Sequence, residues 1–142
     1  MPEFYTLEDI IDIIAQMSGC DISEIKPDSD ISNDLGCWGD DFHELMYEYS
    51  KKFKVDMSSF LWYFHTEEEG SNIIGGSFFK PPNERVKHIA VTPNVLLDCA
   101  NSGKWNVVYP RHTLPKRRYD LLINLIVALL FIVFGIYTCV KK

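Results

Sequence analysis

The chain has no GxGxxG, no GxxxxGK[ST], no GxSxG and no HExxH. Their absence leaves no glycine cradle for a dinucleotide or triphosphate, no serine elbow and no paired histidines for catalytic zinc. Cysteine is sparse: Cys20, Cys37, Cys99 and Cys139 form no CxxC and no zinc spacing, and scattered thiols of this kind fit a reducing compartment. Cations are scarce in the first half. Residues 1–70 carry 17 Asp and Glu against 4 Lys and Arg, so no basic, aromatic-interleaved stripe exists there and nucleic-acid binding is excluded as a leading reading. Charge of either sign is missing altogether from Leu121 to Val140.

That last absence is the clearest positive signal. A charge-free run of 20 residues rises about 30 Å as a helix, which is the thickness of a bilayer core. The sequence therefore divides into a head domain over 1–110, a basic neck over 111–119, a transmembrane helix over 120–140 and a tail at 141–142. Arg111, Lys116, Arg117 and Arg118 precede the span and only Lys141 and Lys142 follow it, so the bias favours a cytoplasmic head. Those four neck cations are expected to lie against anionic lipid headgroups. Asn124, inside the apolar run, is expected either to pair with another helix or to snorkel towards the headgroups. The second half of the chain, residues 71–142, holds 3 acidic and 10 basic residues, so an acidic head stands on a basic neck and should attract basic partner surfaces.

The functional signal concentrates in Asp34–Asp56. Phe42, Leu45, Met46, Tyr49 and Phe53 recur at helical spacing, and Asp40, His43, Glu44, Glu48 and Lys51 face outward, so an amphipathic helix is expected. Gly36 and Gly39 break the chain before it, and Asp41 with Glu44 fits an N-cap whose partner reaches back. Asp40 and Asp41 also suit the positive end of the helix. His43 beside these carboxylates could serve in acid–base work, but a surface imidazole on an acidic helix is the plainer reading. The same holds for Asp40 and Asp41 as a general acid and base.

Leu35-Gly36, Asp40-Asp41-Phe42, Tyr49 to Phe53 and Val55-Asp56 together resemble the acyl carrier proteins. In that family a serine at the start of the second helix bears a phosphopantetheine arm. Asp41 stands at that position here, and a carboxylate cannot act as the attacking hydroxyl, so the resemblance implies the fold and a docking surface without the prosthetic group. The head is also similar to a family of uncharacterised bacterial proteins with an acyl-carrier-like domain. The likeness rests on Gly-Asp-Asp at 39–41, Phe-Lys-Val-Asp at 53–56 and Thr-Pro to Gly-Lys-Trp at 92–105. The resemblance implies a bacterial protein, which together with the apolar run gives an inner-membrane location as the expectation.

Elsewhere, Thr6 and Asp9 make a capping box ahead of Leu7, Ile10, Ile11, Ile14 and Met17, a first helix ended by Gly19. Residues 20–39 form a long connection anchored by Ile22, Ile25, Ile31 and Leu35. Phe60-Leu-Trp-Tyr-Phe64 is read chiefly as core-covering rings, with a docking patch as the alternative. His65 before Glu67, Glu68 and Glu69 could mark a metal, although consecutive loop carboxylates are usually solvated. Residues 70–92 are an irregular insertion that could form a short β hairpin, and Thr92-Pro93 opens a further short helix stopped by Gly103.

The expected fold is mainly α: an acyl-carrier-like small helical bundle followed by one C-terminal transmembrane helix. The expected role is non-enzymatic and cofactor-free, with Asp40, Asp41, Glu44 and Glu48 contacting a basic partner and Phe42 and Met46 either steadying the helix or lining its edge. Two alternatives stand beside it. One is an immunity- or regulator-type membrane protein whose span contacts a membrane target. The other is a small enzyme, or a true carrier modified at another serine such as Ser58 or Ser59.

Overall fold

The computed structural model describes residues 4–69 and 74–142. Within them the chain folds into five helices: α1 (Leu7–Ser18), α2 (Asp40–Phe53), α3 (Gly75–Phe78), α4 (Pro93–Ser102) and α5 (Tyr119–Val140). No strand forms among the described residues. A single parallel bridge joins Asp56 to Lys104.

Two of the three expected helix starts are present, those of α1 and α4. Thr6 accepts from the Asp9 N–H while Asp9 accepts from the Thr6 N–H, so two otherwise orphan donors at the start of α1 are satisfied. Thr92 caps α4 by accepting from the Val95 N–H, with Pro93 in the first turn where its missing N–H costs nothing. Gly19 and Gly103 end the two helices in the left-handed conformation.

The helical periods become one core. Ile10, Ile13 and Ile14 of α1 meet Phe42, Leu45, Met46, Tyr49 and Phe53 of α2 and Leu96, Cys99 and Ala100 of α4. Tyr49 is fully buried, and its hydroxyl donates to the Leu96 carbonyl at 2.6 Å, joining α2 to the middle of α4. Each large side chain withdrawn from water here contributes about 1.5–3 kcal/mol, and the core shared by three helices sets the direction of α2.

The long connection before α2 is held by its anchors as expected, with one exception. Ile25 and Ile31 are buried and Leu35 packs on the core, but Ile22 is 59% exposed. A 3-10 turn begins at Ile22 and turns that side chain outward, and Ile25, at the extended end of the turn, takes the inward place. Hydrogen bonds from Ile31 N–H to Val91 O and from Asn94 N–H to Pro27 O bind the connection to the chain entering α4.

The hairpin expected in 70–92 does not form among the described residues, and 70–73 lie outside them. Residues 75–78 make the short helix α3, and Pro82–Glu84 make a 3-10 turn. Pro81 and Pro82 are buried and lack the N–H groups that a ladder would need. The aromatic run is a turn: Trp62–Phe64 is 3-10, and Phe64 is buried.

His65, next in the chain, is completely buried and belongs to a hydrogen-bond network instead of a metal set. The Tyr109 hydroxyl accepts from the Leu61 N–H at 3.1 Å and from Trp105 Nε1–H at 2.8 Å. With both acceptor sites filled, its proton goes to His65 Nε2 at 2.7 Å, which leaves His65 Nδ1–H to donate to the Ile89 carbonyl at 2.8 Å. Burial pushes the imidazole pKa down to about 4, so it is neutral at physiological pH and fills its role without charge.

α5 runs 22 residues, contains an 18-residue window with a mean hydropathy of 2.6 and is long and apolar enough to cross a membrane; none of that window is buried among the described residues. It begins two residues before the charge-free run and takes in Asp120, which is 2% exposed and paired with Arg118. Asn124 has a partner within the chain: its Oδ1 accepts the Gly75 N–H at 2.7 Å. A Cβ at Gly75 would be driven into the backbone carbonyl of Asp120, so glycine is what lets α3 lie directly against α5.

Candidate interaction face on α2

Gly39 determines where α2 begins. Its φ of 63° with ψ of −134° is a conformation that side chains strain, its N–H donates to Thr66 Oγ1 at 2.9 Å, and its carbonyl accepts the His43 N–H. The helix therefore starts at Asp40 and the N-cap is Gly39, with no side chain accepting from the first turn. This corrects the expected cap at Asp41. Asp40 and Asp41 instead occupy the first turn, where the exposed N–H groups and helix dipole favour carboxylates by about 0.3–1 kcal/mol each.

The face these residues share is divided along its length. Asp40, Asp41, His43, Glu44 and Tyr47 are exposed. Glu48 is half-buried and holds Lys51 Nζ at 3.3 Å, and that ammonium also lies over the Tyr47 ring at 4.9 Å. Among the described residues no cation reaches ion-pair distance of Asp40, Asp41 or Glu44. The first half of the outer face is thus uncompensated acid, and the second half carries its own cation. The opposite face is closed. Phe42 and Met46 are 0% and 3% exposed, so of their two expected roles they take that of steadying the helix in the core.

Beside the helix start, Asp40, His43, Trp62, Glu68, Glu69 and Arg118 line a cleft of about 370 Å³. His43 meets the Trp62 ring edge-on at 5.6 Å, and Trp38 is exposed nearby in sequence. Arg118 closes one end. Its guanidinium binds Glu68 through Nη2–Oε2 at 2.6 Å and Asp120 through Nε–Oδ1 at 2.9 Å and Nη2–Oδ2 at 2.5 Å. Hydrogen bonding to Asp120, and next to Glu68, holds its pKa above the ordinary arginine value.

By sequence Arg118 belongs to the neck cations expected to lie against lipid headgroups. It is an internal clamp instead, because the carboxylate buried at the start of α5 requires a cation two residues away. Sequence reasoning also missed Trp62, Glu68 and Glu69 as companions of α2. The aromatic run and the triple glutamate were visible signals, but only the fold sets them beside residue 40.

Neither Cys37 nor Cys99 is an activated thiol. The Cys37 thiol is buried, and desolvation, then the charge of Asp41, pushes its pKa up to about 11. Cys99 is likewise pushed up by burial, and all four cysteines are free thiols. No group of three or more His, Cys, Asp or Glu side chains poised for a metal occurs among the described residues.

Residues 7–109 match the family model described as "Protein of unknown function (DUF1493)". The chain belongs to that family. The match begins with α1, takes in α2, α3, α4 and the Tyr109 network, and stops before the neck and α5. No curated protein and no solved structure matches the chain, so the acyl-carrier likeness stands on the sequence motif alone.

Proposed function

We propose that this member of the DUF1493 family is a membrane-anchored, non-enzymatic interaction module that presents the first half of α2 to a basic protein surface. The observation that carries this reading is the uncompensated acid of Asp40, Asp41 and Glu44 on a helix whose other face is wholly spent on the core. Glu48 joins in a second step: its exposed pair with Lys51 is worth about 0–1 kcal/mol, little enough for a partner's cation to displace. The cleft beside the helix start could take one basic side chain between Trp62 and the Asp40, Glu68 and Glu69 carboxylates. With Asp41 in place of the carrier serine, the helix would keep the docking role of an acyl carrier without its arm. The anchor is α5 in a bacterial inner membrane, with the head on the cytoplasmic side.

The test places a photocrosslinking residue at position 44 of the full chain in intact membranes and compares it with the same protein bearing Asp40→Lys and Asp41→Lys. A discrete adduct lost on charge reversal, and weakened by added salt, supports the reading. An adduct pattern indifferent to both changes refutes it.

One observation favours a second reading: among the described residues none of the apolar window of α5 is buried, as expected if the span itself contacts a membrane target. Exchanging residues 121–140 for an unrelated apolar helix abolishes activity in that case and spares it in ours. The carrier alternative has less support, since the Ser59 hydroxyl donates to the Trp105 carbonyl at 3.0 Å and Ser58 and Ser59 lie in a turn outside any helix start. An unchanged intact mass after incubation with a phosphopantetheinyl transferase removes it.

A further inference from the structure

Three cations from two distant stretches of the chain meet beside the first turn of α5. Lys80 and Arg85 follow α3, Arg117 belongs to the neck, and with Phe79, Tyr119 and Arg118 they line a cavity of about 80 Å³. At about 30 Å³ per water in the liquid, that is the space of two or three waters, the size of a phosphate group. The carboxylate in the lining, Asp120, is buried and held by Arg118, which Glu68 also engages. Among the described residues no carboxylate comes within ion-pair distance of Lys80, Arg85 or Arg117, and Glu84 lines a separate cleft with Asn33 and His88. Arg85 Nε–H donates to the Lys80 carbonyl at 2.7 Å, which steadies the guanidinium and leaves its terminal N–H groups for an oxygen ligand.

The surroundings identify the source of that oxygen. Ile74, Phe78 and Phe79 are 40%, 71% and 42% exposed, forming an apolar patch on and beside α3. Gly75 fixes this patch at the level of the first turns of the span through its hydrogen bond to Asn124 and its close approach to Asp120. Phe79 also packs on Tyr119 at 5.4 Å. Aromatic and apolar groups flanked by Lys and Arg at the start of a spanning helix match the boundary between acyl chains and headgroups.

We propose that Lys80, Arg85 and Arg117 bind the phosphate of an anionic phospholipid, with Ile74, Phe78 and Phe79 seated in the headgroup–acyl boundary beside α5. The lipid contact is thereby a composite pocket, and Arg111 and Lys116 add only general attraction. This inference is independent of the role given to α2.

Native mass spectrometry of the full chain in detergent tests it, with phosphatidylglycerol, phosphatidylcholine and soluble glycerol 3-phosphate as the probes. Phosphatidylglycerol is expected to bind in preference to phosphatidylcholine. Lys80→Gln, Arg85→Gln and Arg117→Gln together should weaken that binding by about tenfold or more, as loss of several charge-assisted hydrogen bonds requires. Arg111→Gln with Lys116→Gln should have much the smaller effect, and Phe78→Ser with Phe79→Ser should weaken binding of the lipid but not of glycerol 3-phosphate. Equal uptake of the two lipids, or equal losses from the pocket and neck variants, overturns the proposal. Displacement of the lipid by an equal concentration of glycerol 3-phosphate assigns the pocket to a free phosphate and overturns it as well. Should the triple variant lose its helical circular dichroism, Arg117→Gln alone, in the exposed neck, carries the same comparison.

Discussion

Replacing Tyr109 by Phe removes one oxygen and strands three groups. The Leu61 N–H, Trp105 Nε1–H and His65 Nε2 all use that hydroxyl, and they come from the aromatic turn, the segment after α4 and the buried imidazole. An unsatisfied buried polar group costs about 1–3 kcal/mol, and Tyr109 is only half-buried, so the low end applies and the variant should lose about 3 kcal/mol. Tyr63→Phe is the internal control, since it loses one exposed hydrogen bond to His112 and should cost less than about 1 kcal/mol. Urea unfolding of the full chain in detergent, followed by tryptophan fluorescence, reads both, with Trp105 inside the network as a reporter. The midpoint should fall for Tyr109→Phe with the slope unchanged. A loss no larger than that of Tyr63→Phe would mean that water satisfies the three groups and that the network holds nothing together.

Further outcomes follow from the same structure. The His65 pKa is about 4 in the fold against 6.5 when unfolded, so the unfolded chain takes up the proton first: the contribution is complete above pH 6.5 and is lost as pH falls towards 4, by about 3 kcal/mol in all. Denaturation midpoints that stay constant between pH 6.5 and 4.5 would contradict this. Gly75→Ala should push α3 off α5 at a cost of about 1–3 kcal/mol, seen as faster amide exchange across residues 75–79, and unchanged exchange would show that the close approach is not needed. A cysteine added after Lys142 should react with an impermeant thiol reagent in intact cells, and labelling only after lysis would reverse the proposed orientation.

α1, α2, α4 and the long apolar helix α5 were legible because their signals are local. Thr6 and Asp9 sit three residues apart, the α2 core positions repeat with the helical period, and a charge-free run needs no partner to be recognised. The cap of α2 lies two residues earlier than expected because Asp41 and Glu44 imitate a capping pair, whereas the positive-φ turn at Gly39, tied to Thr66 27 residues away, decides the boundary. Acidic residues on one face of a helix were also readable in advance. Which of them keep their charge uncompensated was not, because Lys51 reaches only one of them.

By itself, then, the sequence determined an acidic helical head, a basic neck and a long apolar C-terminal helix, since periodicity and charge are properties of neighbouring residues. The tertiary structure alone decided that His65 is a neutral buried keystone, that Arg118 clamps carboxylates, and that Lys80 and Arg85 join Arg117 at the start of α5. Those roles depend on groups brought together from tens of residues apart, where burial and partner distance, and not residue type, determine what a side chain does.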